Sequence, residues 1–450
     1  MNKSADATEA FDIAIVGGEL LTISNDMSKI SDSFIGISDG KIKLVCSAKE
    51  MRGSVFFAKK TINANNMVVM PGFVNTHAHL AMSCFRGIAD DMPLMKWLHE
   101  SIFPLEKQFV DYDMVYYGSL LSMAEMLLAG ITTCADSYFF EEAIVKAGIE
   151  AKIRLIVGKG FFDPPNIDSV VVEKIIAIAE KFVTRCGNIS DLIVPAIFCH
   201  SPYSCSPQVM KALKNVAREN DILFMLHLLE SADENKIVFD RYGQSPVELL
   251  LVNDILDKKT VAVHGVYLNA NEIDIFAEHE VKVSHNPQSN MKLACGVAPI
   301  ARMKKANICV GIGTDGATSN NRLDMFSEMS TTAKLHKVSA LDATILPAQD
   351  IVRMATIDGA KVLGIDSLVG SIEVGKLADI IIVDFNAPHL TPVYDYYSHL
   401  VYCAKASDVY ATIVNGSIVV FNNEVKTFDV ASVINNVNKL KNVITSHYSV

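Results

Sequence analysis

The chain has 450 residues, 50% of them hydrophobic and 20% charged, with a formal net charge of -11. That length accommodates one large domain plus a smaller one with a substantial core, and that apolar content excludes a disordered chain. An acidic balance without any lysine and arginine cluster excludes a general polyanion-binding surface, so no nucleic acid partner is expected.

The first residues, "MNKSADATEAFD", lack an apolar signal region, and no uninterrupted apolar stretch is long enough to span a bilayer. The nine cysteines are scattered, odd in number and free of any CxxC pair, which suggests neither a disulfide framework nor a cysteine zinc site. A cytoplasmic soluble protein with no membrane association is the expectation.

Residues 1–67 read as short strands separated by turns, as in "FDIAIVGGELLT" and "SFIGISDGKIKLV", where Gly17-Gly18 and Asp39-Gly40 mark tight turns. From residue 68 the texture changes to apolar runs, each followed by a longer segment of helical periodicity. The runs cover 68–77, 131–136, 154–160, 193–200, 222–227, 260–265, 281–286 and 308–315. Near-continuous apolar runs are what buried parallel strands require, and helical segments such as "SVVVEKIIAIAEKFVTRC" lie between them. Repeated units of this kind predict an α/β fold with a (β/α)8 barrel over residues 68–368. After it, "GSIEVGKLADIIIVDF" and "DVYATIVNGSIVVFNN" return to short strands. Residues 369–450 are therefore expected to complete a small β-sandwich with the N-terminal strands and to end in a helix.

Polar residues gather at one end of the runs. The first closes on His77 and His79, the fourth on His200, the fifth on His227, the sixth on His264, the seventh on His285 and the eighth on Asp315. In a (β/α)8 barrel the strand C-termini form one face, so these side chains are expected around a single mouth. Taken alone, the His77-x-His79 pair reads equally well as two hydrogen-bonded histidines. With His227 and Asp315 added, the set offers three imidazole nitrogens and a carboxylate, suited to zinc or iron with room for a water.

Several segments then carry a family resemblance. "PGFVNTHAHL", "HLLE" after the fifth run, "VAVHG" at the sixth and "GTDGATSNNRLDMFSEM" at the eighth resemble the amidohydrolase superfamily in its mononuclear-metal, deaminase-like branch. More narrowly, "RGIADDMPLMKWLHESIFPLE" (86–106), "HSPYSCS" (200–206) and "HNPQSNMKLACGVAPI" (285–300) are similar to the S-adenosylhomocysteine and 5'-methylthioadenosine deaminases. The fourth run ends in "AIFCH", without the lysine that the two-metal branch carries there, so a single divalent metal is implied, zinc first and ferrous iron second.

The resemblance implies a small-molecule nucleoside substrate and a hydrolytic deamination in which a metal-activated hydroxide adds to C6 of an adenine ring. His77, His79, His227 and Asp315 are the implied metal ligands. Glu230 is the implied proton shuttle, Asp315 also a proton acceptor, and His264 a hydrogen-bonding partner of the attacking water. For substrate binding, Glu106 is implied to accept ribose hydroxyls, Trp97 to offer an apolar wall, and His200 to face the ribose or its 5' group. Lys159 stands where several members of that family carry an arginine for a homocysteine carboxylate. It keeps the charge and loses the planar fork, so the 5' substituent stays open among homocysteine, methylthio, hydroxyl and hydrogen. His285 is expected to order a loop. His99, His279, His336, His389, His399 and His447 receive no role. A homo-oligomer is an expectation carried by the resemblance alone.

Two other readings remain open on sequence. One is a triazine chlorohydrolase or a guanine- or pterin-type aminohydrolase on the same scaffold, since one barrel hosts many chemistries. The other is a noncatalytic assembly protein, against which the retained His77, His79, His227, Glu230, His264 and Asp315 all count.

Overall fold

The first apolar run folds as two strands. In the computed structural model, which describes residues 9–51, 55–163 and 167–447, Met67–Pro71 pairs antiparallel with Ile380–Asp384, and Phe73–Ala78 opens the barrel as β1. Gly72 stands at the break. A Cβ added there would lie 2.2 Å from the Thr132 side chain, so glycine is what lets the two sheets approach this closely. Residues 1–8, on which part of the leader reading rests, lie outside the described residues.

The remaining runs form β2 (Ile131–Tyr138), β3 (Arg154–Phe161), β4 (Ile193–Cys199), β5 (Leu223–Leu228), β6 (Thr260–His264), β7 (Lys282–His285) and β8 (Val310–Ile312). All eight strands pair in parallel and in chain order, giving the expected (β/α)8 barrel. Between β1 and β8 side-chain and backbone contacts replace a ladder. The Asp315 N–H donates to the His77 carbonyl at 2.9 Å and the Thr314 N–H to Asn75 Oδ1 at 3.0 Å. Gly313 permits this approach, because a Cβ there would meet Asn286 Oδ1 at 2.3 Å and the His77 nitrogen at 2.9 Å.

Helices between the strands begin where the chain offers an oxygen to their free N–H groups. Asp111, Asp168, Ser206, Ser231, Ser245, Asn269 and Asp324 each accept from a backbone N–H of the following turn.

Both chain ends build the sheets beside the barrel. Glu9–Val16, Ser33–Ser38, Lys41–Ser47 and Phe56–Asn63 form a four-stranded sheet. A seven-stranded sheet joins Glu19–Leu21, Lys29–Ser31 and Met67–Pro71 to Ile380–Asp384, Val409–Val414, Ser417–Phe421 and Glu424–Val425. Ile13, Ile15, Ile35, Ile380 and Ile413 are buried in one cluster from the two sheets. A buried ion pair ties this unit to the barrel. Arg154, at the start of β3, donates from Nε and Nη2 to the two oxygens of Asp379 at 3.0 and 3.1 Å, and Asp379 also accepts the Asn415 N–H at 2.7 Å.

The C-terminal helix, Val430–His447, lies on the barrel helix Tyr112–Leu128. Its Ile444 is buried with Phe85, Leu105 and Met114. Among the described residues no helix is long and apolar enough to cross a membrane.

Candidate active site

β1 and β5 deliver three imidazoles to one point. The His77 ring centroid lies 4.7 Å from that of His79 and 5.0 Å from that of His227. His77 Nε2 faces His227 Nε2 at 3.2 Å, while Asp315 Oδ1 lies 3.5 Å from His77 Nε2 and 3.6 Å from His79 Nε2.

One ring proton of this cluster is accounted for elsewhere. His79 Nδ1 lies 2.6 Å from the Ser137 carbonyl, an acceptor, so Nδ1 carries the ring proton and Nε2 presents a lone pair. Burial keeps His77 neutral by lowering its pKa to about 4, and lowers His227 further below the ordinary imidazole value. Burial pushes the Asp315 carboxyl upward, but the His77 hydrogen bond and the neighbouring imidazoles outweigh it and hold the group well below the usual range. Asp315 already accepts from Ser289 Oγ at 2.6 Å and from the Gly316 N–H at 2.7 Å. One proton at most fits on the line between His77 and His227. Four electron-pair donors thus converge without enough protons to satisfy them, and a divalent cation fits that donor set.

A second group adjoins the first. Glu230, His264 and Asp315 bring their ligand-type atoms within 4.8 Å of one another, with Glu230 Oε2 lying 3.8 Å from His264 Nε2. His264 Nδ1 is 2.9 Å from Asn290 Oδ1, so with the proton on Nδ1 the Nε2 lone pair is turned toward Glu230. Burial raises the Glu230 pKa, with the nearby His264 opposing and Asp315 adding to the rise. His264 and Asp315 both adopt left-handed backbone conformations, with φ of 74° and 62°. That is strain for residues bearing a Cβ, and it is held by the surrounding packing.

Of these groups, His79, His227, Glu230, His264 and Asp315 line a cavity of about 410 Å³, a size suited to a small organic ligand. Trp97 and Glu106 reach it from the segment after β1, Trp97 as a buried wall. Glu106 Oε1 accepts from the Tyr138 hydroxyl at 2.7 Å, and burial raises its pKa to about 7 against that hydrogen bond. His200 stacks on Phe162 with centroids 4.4 Å apart, and its Nδ1 lies 2.8 Å from Ser204 Oγ. Lys159 also lines the cavity, but its ammonium is held by both oxygens of Glu141 at 2.8 and 2.9 Å. His285 lies outside the convergent groups and meets His336 at 3.0 Å between their Nε2 atoms.

Several supporting residues escaped the sequence reading. Asp136 Oδ1 accepts the Leu80 N–H at 2.6 Å, fixing the turn after His79. Its signal was present, because the second run also ends on a polar residue. Glu234 Oε2 accepts the Glu230 N–H at 3.2 Å. Ser289 and Asn290 lie within the segment 285–300 and Glu141 five residues past the second run, but nothing in their spacing names the side chain each one meets.

An eight-stranded barrel with three imidazoles and a carboxylate convergent at its strand ends defines a metal-dependent hydrolase scaffold. Residues 68–419 match the model of the Amidohydrolase family, and the chain belongs to that family. The 5-methylthioadenosine/S-adenosylhomocysteine deaminase 1 of Syntrophus aciditrophicus is 42% identical over 421 residues, covering 94% of this chain and 95% of that one. The 5'-deoxyadenosine deaminase of Methanothermobacter thermautotrophicus is 40% identical over 418 residues, covering 93% and 95%. Among solved structures, an adenosine deaminase from Xanthomonas campestris with bound zinc superimposes with a TM-score of 0.94 at 33% identity, covering 98% of this chain and all of that one.

Proposed function

We propose that the protein is a metal-dependent hydrolytic deaminase of adenine nucleosides, releasing ammonia and leaving the inosine-type product. The observation that carries this reading is a single cavity with His79, His227 and Asp315 of the convergent cluster on its lining and the Glu106 carboxyl on its wall. Near-full-length relatives named for 5-methylthioadenosine, S-adenosylhomocysteine and 5'-deoxyadenosine support the substrate class.

His77, His79, His227 and Asp315 would hold one divalent metal, zinc being favoured by three imidazoles and one carboxylate and ferrous iron being compatible with the same set. When bound, such a metal supplies a water acidic enough to serve as nucleophile near neutral pH. His264 Nε2 accepts a hydrogen bond from the attacking water and orients it toward C6 of the adenine. Glu230 takes the first proton of the attacking water and, its pKa raised by burial, delivers it to ring N1 as the C6–O bond forms. Asp315 takes the remaining hydroxyl proton and passes it to the exocyclic nitrogen, so that the C6–N bond breaks. One water is consumed and one ammonia leaves, the two water protons ending on N1 and on the departing nitrogen. Glu106 accepts ribose hydroxyls, while Trp97 and His200 enclose the sugar and exclude water.

The test is ammonia release by metal-depleted protein reloaded with zinc or ferrous iron. Substrates are adenosine, 5'-deoxyadenosine, methylthioadenosine, S-adenosylhomocysteine, guanine and a chlorotriazine. Turnover of adenine nucleosides that is lost on chelation and restored by metal is expected. Failure on every adenine nucleoside would sink the assignment.

A further inference from the structure

Cations are scarce where this cavity leads away from the convergent cluster. Among the described residues lining it, Lys159 is the one lysine or arginine, sharing the lining with Glu106, Glu141, Glu142, Glu230 and Asp315, of which Glu142 is paired from outside by Arg185 at 2.7 Å. Its charge is already engaged, because Glu141 holds the ammonium on both oxygens, at 2.8 and 2.9 Å. The Glu141 side chain is only 6% exposed. A surface pair exchanges partners at little cost, whereas withdrawing Lys159 from Glu141 would leave a buried carboxylate uncompensated. The other cations nearby, Lys146, Lys181 and Arg185, line a separate cavity that shares this ion pair as a wall, and they do not line the one holding the site. Around the pair the lining is aromatic, from Phe139, Phe140 and Phe162.

We propose that Glu141, by sequestering Lys159, is a specificity-determining residue that selects against a carboxylate on the 5' substituent, so that nucleosides with an uncharged 5' group are the preferred substrates. The inference rests on the proposed deamination, with the base at Glu230 and His264, the ribose at Glu106 and the 5' group toward Phe162 and the ion pair. A carboxylate arriving there meets a lysine already neutralised by a buried partner, with two of its three N–H groups engaged, and no other cation among the described residues on the lining. A hydrogen, hydroxyl or methylthio group meets aromatic rings and breaks no ion pair.

The decisive comparison uses the metal-loaded wild-type enzyme and needs no mutation: kcat/KM for S-adenosylhomocysteine, for its carboxyl methyl ester, for methylthioadenosine and for 5'-deoxyadenosine. The methyl ester is expected to exceed the free acid by about tenfold, the scale of one charge-assisted hydrogen bond. An ester poorer than the acid would mean that Lys159 receives the carboxylate, and would overturn the proposal. In Glu141→Gln the ratio of acid to methylthioadenosine should rise, and adding Lys159→Gln should cancel that rise. A fall in the ratio on Glu141→Gln would instead show Glu141 holding the substrate ammonium, and would overturn it too. Absence of deamination on every nucleoside overturns the functional assignment and this inference together, whereas deamination with acid and ester turned over equally overturns this inference alone.

Discussion

Glu230 follows Leu229, a residue in the left-handed region with φ of 52°, and the turn is held because Glu234 Oε2 accepts the Glu230 N–H. A proton carrier placed this way needs its acid form, which burial favours. Glu230→Gln keeps the shape and removes the exchangeable proton. It should lower kcat by about 10²- to 10⁴-fold while metal content, measured by elemental analysis, stays at the wild-type level. Glu106 behaves differently, since its task is to accept hydrogen bonds as a carboxylate. Burial raises its pKa to about 7, so it is increasingly protonated as the pH falls through that value. The acid form accepts ribose hydroxyls poorly, and kcat/KM should therefore decline on the acid side with a midpoint near that pH. Glu106→Gln should lose this limb and lower kcat/KM by about tenfold at pH 8, a difference that pH profiles of the two proteins will reveal.

Among the elements, the C-terminal helix Val430–His447 acts on the site at one remove. Ile444 is buried against Phe85, Leu105 and Met114, and Leu105 is the residue before Glu106. Truncating Ile444 to alanine removes contacts that the surrounding side chains only partly refill, so Ile444→Ala should cost about 2–4 kcal/mol in denaturant unfolding. Loosening Leu105 also loosens Glu106 without touching the groups at the strand ends. Steady-state kinetics should therefore show KM rising more than kcat falls. Equal losses in both would mean that the helix supports the whole barrel mouth rather than the ribose wall.

At the scale of the whole molecule, barrel and flanking sheets are joined through the buried Arg154–Asp379 pair. The pair sits at the N-terminal end of β3, the opposite end of the strand from the face that carries the site. Arg154→Met leaves Asp379 buried without its cation and should cost about 3–5 kcal/mol, measured by chemical denaturation. Adding Asp379→Asn should recover part of that loss. The kcat of the folded fraction should be near that of the wild type, because no residue of the cluster contacts either partner.

The order of strands and helices, and the strand ends that carry His77, His79, His227, His264 and Asp315, were legible in the amino-acid sequence. Strands buried on both faces must be apolar throughout, so a polar residue closing each run stands out against it. The return of the chain to the N-terminal sheet was legible for the same reason, in "KLADIIIVD" and its turns. Tertiary structure alone decided the rest. It split the first run at Gly72, where a neighbouring strand leaves no room for a Cβ, and set His264 and Asp315 in left-handed conformations that local preference opposes. It gave His79 to the Ser137 carbonyl, His264 to Asn290 and Asp315 to Ser289. Above all it gave Lys159 to Glu141, turning a cation that the sequence offers to a substrate carboxylate into a neutralised one. With the exception of His285, which turns to His336, sequence determined which side chains reach the barrel mouth because strand burial is a repeating, local constraint. Partner choice depends on distances between residues far apart along the chain, and those distances exist only once the barrel has closed.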